Sequence, residues 1–254
     1  MIAPIALQLY SVREAMNAQG FEKTVRQVAD IGYCGVEAAG FPGTTPELAF
    51  KLFNELGLEV TSAHSSAPVG ENKNEILDLM AALECKRLVV PYQPKELFAN
   101  RDGIQKVCAI LNEANEVGKV HGFNVGYHNH WWEAEYRIDG KPAYQIMLDY
   151  LDKEVFFQVD TYWMQVGGLN AADVVRKLGN RAPMLHIKDG PGLKEQPMTA
   201  VGKGVMDWKT VINAGSEFTD SVIVELDSCA TDMLQAVTES YQYLVVNHLA
   251  LGKK

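Results

Sequence analysis

The sequence predicts one domain, residues 1–254, folded as an α/β protein of the (β/α)8 barrel type. Eight short apolar or β-branched runs recur along the chain, and helical patterns lie between them, which favours a parallel sheet. The glycine-rich GxGxxG turn of open dinucleotide-binding sheets is missing, so closure into a barrel is favoured. At 254 residues and 47% hydrophobic, the chain can bury the core of such a barrel.

The eight predicted strands are short and mostly apolar, as expected for parallel strands covered by helices. They are IALQLY (5–10), GVEAA (35–39), LEVTSAH (58–64), RLVVP (87–91), FNVGYH (123–128), VFFQVD (155–160), MLHIK (184–188) and VIVEL (222–226).

Capping signals predict where several helices begin and end. An apolar repeat at helical spacing stops at Gly32, a typical C-terminal residue. Thr45 followed by Pro46 predicts an N-cap and the first helical residue, and Asn170 predicts another N-cap. The connection 189–208 is long and glycine-rich, and its place after the seventh strand predicts a lid at the barrel mouth.

Charge and composition exclude several classes of function. A net charge of −9 and the absence of a Lys/Arg cluster argue against a nucleic-acid partner. The N-terminus lacks the pattern of a signal peptide, and no apolar run has the length of a membrane span. The four cysteines are far apart and lack CxxC spacing, which indicates free thiols in a reducing cytosol. We therefore expect a cytoplasmic protein that does not bind membranes.

Four side chains suited to metal binding lie near the ends of the last four predicted strands. They are Glu133, Asp160, His186 and Glu225. The C-terminal ends of barrel strands meet at one mouth, where catalytic residues gather. Three carboxylates and one imidazole suit Mn²⁺, Mg²⁺ or Co²⁺ better than a metal that selects thiolates. The sequence therefore predicts a site for one divalent metal ion.

Glu133 has competitors for its place in this site. It follows the strand proper, whereas His128 and His130 lie closer to the strand and point to the same side of it. A two-histidine site is an alternative on these grounds. Asp160 and Glu225 also have a purely structural interpretation, as helix caps or as ion-pair partners of Lys188.

The motifs QLYSVR, YHNHWWE, VDTYW, HIKDG, VGKGVMDW and VELD occur in the order seen in sugar isomerases and epimerases with a xylose-isomerase-like TIM barrel, and the chain resembles that family over nearly its whole length. The resemblance implies a metal held by Glu133, Asp160, His186 and Glu225. Family members use manganese, cobalt, magnesium or zinc, and Mn²⁺ is the expected ion here.

The expected chemistry is proton transfer next to a carbonyl group. A metal stabilises the enediolate that forms, and two carboxylates, Glu133 and Glu225, remove and return the proton. Other residues are expected to contact the substrate or line the mouth. They are His128, Lys188, His64, Glu37 and Trp163. Lys194 and Lys203 in the long loop suggest a phosphate site, although exposed lysines are usually only solvated.

These features favour a metal-dependent isomerase or epimerase that acts on a small keto-sugar. A lyase of the inosose-dehydratase type is the alternative, because loss of a β-substituent can follow the same proton removal. An endonuclease for apurinic sites needs more metal-binding histidines and a basic surface, and a non-catalytic barrel would bind no metal at the four positions. The expected partner is a small-molecule sugar, and an oligomer of identical chains is left open.

Overall fold

The computed structural model describes residues 2–253, and eight parallel strands in it close into a barrel. The prediction of a (β/α)8 barrel is thereby confirmed. The strands are β1 (Ile5–Gln8), β2 (Gly35–Ala38), β3 (Glu59–His64), β4 (Arg87–Val90), β5 (Asn124–His128), β8 (Phe156–Asp160), β9 (Met184–Ile187) and β10 (Ser221–Val224). They follow one another around the barrel, and β10 pairs with β1 to close it. A short hairpin of β6 (Arg137–Ile138) and β7 (Lys141–Pro142) lies outside the barrel.

Helices connect the strands and cover them. They are α1 (Arg13–Gln19), α2 (Phe21–Ile31), α3 (Pro46–Glu55), α4 (Lys73–Ala82), α5 (Arg101–His121), α6 (Trp132–Glu135), α7 (Ala143–Met147), α8 (Thr161–Val166), α9 (Ala171–Leu178), α10 (Trp208–Gly215) and α11 (Met233–Val246). The expected caps are present at Thr45 and Asn170, and Gly32 ends α2 in the left-handed conformation. No helix within residues 2–253 is long and apolar enough to cross a membrane.

The barrel interior changes from apolar to polar along the strands. Side chains alternate between the two faces of a strand, so residues two apart point the same way. The lower layer is a small apolar cluster, made of Ala6, Val89, Phe156, Met184 and Ile223. Two residues further along the same strands lie polar groups such as Gln8, Gln158 and His186, all fully buried. The apolar layer thus closes the bottom of the barrel and leaves a polar layer at its C-terminal mouth.

The loop 189–208 is anchored rather than free along most of its length. Asp189 accepts hydrogen bonds from the backbone N–H groups of Gly190 (2.9 Å), Gly202 (2.9 Å) and Met206 (3.3 Å), and from the Trp208 indole (2.8 Å). A Cβ atom at Gly204 would lie 2.0 Å from the Asp189 carboxylate, so the close approach requires glycine there. A buried carboxylate thus fixes both ends of the loop, whereas residues 193–197 at its tip are exposed, and the lid stays a prediction.

We expect Gly126→Ala to lower the free energy of unfolding by about 1–3 kcal/mol. Gly126 lies on β5, where a Cβ atom would come within 2.2 Å of the Phe156 ring in the apolar layer. Chemical denaturation would measure the change. Adding Phe156→Leu to the variant should recover part of the loss, because the smaller side chain removes the overlap. A Gly126→Ala protein as stable as the wild type would contradict this description of the packing.

Candidate active site

Strand register brings four potential metal ligands together at the barrel mouth. His128 ends β5, Asp160 ends β8, His186 lies in β9 and Glu225 directly follows β10. The register aligns Asp160 with His186 on neighbouring strands. One ligand atom from each of the four residues lies within 4.8 Å of those of the others, and all four side chains are buried. Three of the expected ligands meet in this way, and the fourth member is His128.

Glu133 is not in this group. It lies in α6, beyond the end of β5, and its carboxylate accepts hydrogen bonds from the Tyr127 hydroxyl and from the His130 backbone N–H (2.9 Å). The side chain is fully buried, and burial raises the pKa of Glu133 to about 7, although these hydrogen bonds act against the rise. These hydrogen bonds connect Glu133 to Tyr127 in β5 and to His130 in the segment that follows the strand.

Glu37 is the hub of the polar layer. Its buried carboxylate accepts hydrogen bonds from Gln8 (2.5 Å), Ser62 (2.5 Å) and Gln158, and it also contacts His186 Nε2 (2.6 Å) and His64 Nε2 (3.1 Å). Despite the cost of burial, the neighbouring histidines hold the pKa of Glu37 well below its usual range. Glu37 was expected to contact substrate, but its carboxylate is occupied by these partners.

This network fixes which histidine nitrogens carry protons. The Gln158 amide nitrogen donates to Glu37, so its oxygen must accept from His64 Nε2 (2.7 Å) and His128 Nδ1 (3.1 Å). The Nε2 atom of His128 then has a free lone pair, and it lies 3.6 Å from Asp160 Oδ2. Burial lowers the pKa of His128 well below its usual value, which keeps the ring neutral. A neutral imidazole with a lone pair facing a carboxylate is suited to bind a cation.

His186 lies between two carboxylates. Its Nε2 faces Glu37, and its Nδ1 lies 2.8 Å from Glu225 Oε2. Burial alone would lower the pKa of His186, but the two carboxylates raise it to about 10, so a metal ion that binds this ring replaces a proton on it. A histidine that binds a metal usually gives its other nitrogen to a carboxylate or carbonyl, which orients the ring. The contact with Glu37 supplies that second interaction, and Nδ1 is the nitrogen on the side of Asp160 and Glu225.

The Lys188 ammonium lies among three carboxylates. Its Nζ atom is 2.6 Å from Glu225, 3.1 Å from Asp160 Oδ2 and 2.8 Å from Asp227. Burial would lower the pKa of Lys188, but these carboxylates raise it well above its usual value. The structure therefore shows that the carboxylates are arranged around positive charge, and that the ion pair expected for Lys188 forms.

Asp160 provides a direct test of whether a metal ion fits. Its Oδ1 accepts a hydrogen bond from the Trp163 backbone (2.8 Å), which caps α8, whereas its Oδ2 is buried and has no hydrogen-bond partner. Burial raises the pKa of Asp160 to about 6, against the opposing charges of Lys188 and His186. The Oδ2 oxygen accepts no hydrogen bond, and its charged neighbour is the Lys188 ammonium at 3.1 Å. Beside two imidazoles and a second carboxylate, it fits a divalent cation that prefers oxygen and nitrogen ligands.

A cavity of about 470 Å³ opens beside these ligands. His64, His130 and Lys188 line it, and the exposed rings of Tyr10 and Tyr92 stand at its rim. Its remaining lining residues are Ala39, Pro91, His128, Glu225 and Asp227. Its size is within the range of small-molecule sites. Sugar rings pack their C–H faces against aromatic side chains of this kind.

Two polar residues of the site were not singled out from the sequence. Asp227 follows Glu225 by two residues and contacts Lys188, and the Trp163 indole donates a hydrogen bond to it (3.2 Å). Gln158 lies two residues before Asp160, on the same face of β8. Each of them is two residues from a predicted ligand, and residues two apart on a strand point to the same face, so the sequence could have identified both. Trp163 was expected to form a wall of the mouth. It is not among the residues that line the cavity, and its indole N–H is bonded to Asp227.

We expect Glu37→Gln to weaken the binding of Mn²⁺ by about 10- to 100-fold. The amide keeps the size of the side chain but removes the negative charge that faces His186. Isothermal titration with MnCl₂ would measure the dissociation constant, and circular dichroism would check the fold. Glu59→Gln, an exposed change at the opposite end of the barrel, is the matched control. Equal affinities for Glu37→Gln and the control would reject the role of Glu37.

The pKa of Glu133 predicts how stability changes with pH. Below pH 4.5, its ordinary value, the carboxyl is neutral in both the folded and unfolded states. Between 4.5 and about 7 only the unfolded chain loses the proton, so the free energy of unfolding falls as pH rises. Above about 7 this contribution is constant, at a cost of about 3 kcal/mol.

Glu133→Gln should abolish this part of the pH dependence. Urea denaturation at several pH values between 5 and 8 would show the variant gaining stability relative to the wild type as pH rises. Glu113→Gln, on the exposed face of α5, should leave the profile unchanged. Parallel profiles for the wild type and Glu133→Gln would contradict the raised pKa.

Comparison with known proteins agrees with this architecture. The curated inosose dehydratase of Clostridium perfringens (strain 13 / Type A) is 22% identical over 210 residues, which cover 74% of this chain and 70% of the relative. The solved structure of a sugar phosphate isomerase/epimerase from Parabacteroides distasonis ATCC 8503 has a TM-score of 0.82 at 22% identity, covering 99% of this chain and 96% of that one. The structure of IolI with a bound zinc atom has a TM-score of 0.75 at 14% identity, covering 97% and 98%.

The family model described as a xylose isomerase-like TIM barrel matches residues 25–239, from α2 to α11. The match confirms the resemblance seen in the sequence motifs. Because it spans most of the barrel, the chain belongs to the xylose isomerase-like TIM barrel family.

Proposed function

We propose that the protein is a divalent-metal-dependent isomerase or epimerase that transfers a proton next to the carbonyl group of a keto-sugar. The observation that carries the proposal is the cluster of His128, Asp160, His186 and Glu225 beside the cavity at the barrel mouth. The named relatives, an isomerase/epimerase and a dehydratase, support chemistry of this general kind.

In this proposal the ion is held by Asp160, His186 and Glu225, with His128 in the place expected for Glu133. Two carboxylates and two imidazoles accept Mn²⁺, Mg²⁺, Co²⁺ or Zn²⁺. We keep Mn²⁺ as the first choice, and the zinc bound by IolI makes Zn²⁺ the first competitor to test. When bound, the ion supplies a Lewis acid that stabilises negative charge on the substrate oxygens.

Glu225 is the proposed base. It lines the cavity, and His186 and Lys188 both contact its Oε2 atom. These positive neighbours hold the pKa of Glu225 well below its usual value despite burial, so the group is a carboxylate at neutral pH. It is therefore in the form that accepts a proton from carbon.

Lys188 is the proposed partner of this base. Its ammonium lines the same cavity, and it can donate a hydrogen bond to the oxygen on which negative charge develops. Glu133 does not line the cavity, so we assign it to positioning the segment 127–130 instead of proton transfer. Glu225 and Lys188 are thus the groups that we propose to exchange protons with the substrate.

That pairing also favours the second candidate, a dehydratase. Elimination of water needs a base for the C–H proton and an acid that protonates the departing hydroxyl group. Glu225 and the Lys188 ammonium fit these two roles, and the curated relative is an inosose dehydratase. The two candidates share the first step and differ in whether the product keeps the mass of the substrate.

A panel of keto-sugars and keto-cyclitols in D₂O would test the proposal. Proton NMR should show exchange of a substrate C–H proton that depends on the added metal. Mass spectrometry then decides between the candidates, because a product lighter by one water identifies the dehydratase. Metal-independent exchange, or no exchange across the panel, would reject the proposed function.

We expect Glu225→Gln to slow this exchange by at least about 100-fold, because the amide cannot accept the proton. Metal content is measured in parallel, and the assay is repeated at saturating metal so that weaker binding does not imitate loss of the base. Glu217→Gln, an exposed change just before β10, is the control. Exchange at the wild-type rate in Glu225→Gln would rule out this residue as the base.

A further inference from the structure

Four positively charged side chains of the site and its loops are already paired with acidic or carbonyl groups of the protein. Besides Lys188, Lys194 contacts Glu135 (2.5 Å), and Lys203 contacts Glu239 (2.6 Å). The guanidinium of Arg13 donates to two backbone carbonyls, those of Tyr10 (2.8 Å) and Asp227 (2.9 Å). Phosphate esters are usually bound by Arg or Lys side chains that can turn toward them. These four cations already have other partners.

The backbone donors that bind phosphate in many barrels are occupied in the same way. That site is commonly built from the loops after the seventh and eighth strands and a helix N-terminus. Here Asp189 takes the N–H groups of the glycine-rich loop after β9. Asp207 caps α10 by accepting from Thr210, and Asp232 caps α11 by accepting from Gln235. Internal carboxylates thus hold the positions where a phosphate would bind.

Two carboxylates lie in the wall of the cavity, beside the Lys188 ammonium. Asp227 and Glu225 both line it, and the Asp227 side chain is 35% exposed. Asp227 holds the Lys188 ammonium from the side (2.8 and 2.9 Å), which reduces the charge that Lys188 offers to an anion. A carboxylate in this position accepts hydrogen bonds from sugar hydroxyl groups, whereas it repels a phosphate.

From these contacts we infer that the site takes an uncharged keto-sugar or keto-cyclitol and rejects the corresponding phosphate ester, and that Asp227 is the residue that sets this preference. The inference rests on the proposed function for the identity of the reacting group. The exposed rings of Tyr10 and Tyr92 at the rim suit an uncharged ring that packs on aromatic faces. This preference for an uncharged substrate is inferred from the residues of this chain and not from the substrates of similar proteins.

The test compares ketohexoses and ketopentoses with their terminal phosphate esters, using metal-loaded protein in D₂O. We expect kcat/KM for proton exchange to be at least about 100-fold higher for the free sugar. Asp227→Asn should reduce this ratio by about 10-fold or more, because it removes a negative charge from the wall. Lys203→Ala is the matched control and should leave the ratio unchanged, since Lys203 pairs with Glu239 outside the cavity.

A measurement without turnover separates this inference from the proposed function. Equilibrium dialysis of the protein without added metal, against labelled inorganic phosphate, should show no saturable binding at millimolar concentrations, and leaving out the metal prevents phosphate from binding to the ion itself. Saturable binding, or an ester used as well as the free sugar, would overturn the inference. If neither form of any sugar exchanges, the proposed function fails, and the dialysis still decides whether the site excludes anions. An unchanged ratio in Asp227→Asn would overturn the role of that residue.

Discussion

The arrangement of the mouth depends on one buried carboxylate, that of Glu37. Its partners come from β1, β3, β8 and β9, so a single group connects side chains from both halves of the barrel. A buried charge is costly unless several donors surround it, and strand register places two of these donors, Gln8 and Ser62, directly beside Glu37. The carboxylate orders the amide of Gln158, and the amide in turn sets the tautomers of His64 and His128. Glu37 and Gln158 thus orient side chains of the proposed metal site, although neither residue lines the cavity.

Strand periodicity accounts for most of what the sequence could predict. The eight runs, and the strand-end positions of Asp160, His186 and Glu225, follow from apolar patterning and from the convergence of parallel strands. The choice between His128 and Glu133 could not be made in this way, because it depends on where β5 stops and α6 begins. The pairing of Asp189 with distant amides was equally hidden, since it arises from the path of the loop and has no local pattern.

Charged side chains are paired with opposite charges or polar groups in two parts of the site, near the barrel axis and at the rim. Near the barrel axis, acidic groups face the imidazoles of His64 and His186 and the ammonium of Lys188, so the carboxylates there are arranged around positive charge. Around the rim, Lys194, Lys203 and Arg13 are paired with protein groups, and Asp207 and Asp232 cap the N-termini of α10 and α11. Selectivity would then come from the pairing of these groups as well as from complementary contacts, which is a form of discrimination against the wrong ligand.

The carboxylate of Asp189 has a consequence for the timing of substrate binding. In many enzymes a glycine-rich loop becomes ordered only when an anionic ligand reaches its amide groups. Here the anion is part of the chain, so the amides of Gly190, Gly202 and Met206 have their partner before any ligand arrives. The entropy cost of ordering this segment therefore belongs to folding and not to each binding of a ligand. Ligand binding then carries no ordering cost for the parts of the loop that Asp189 holds, at Gly190 and between Gly202 and Trp208.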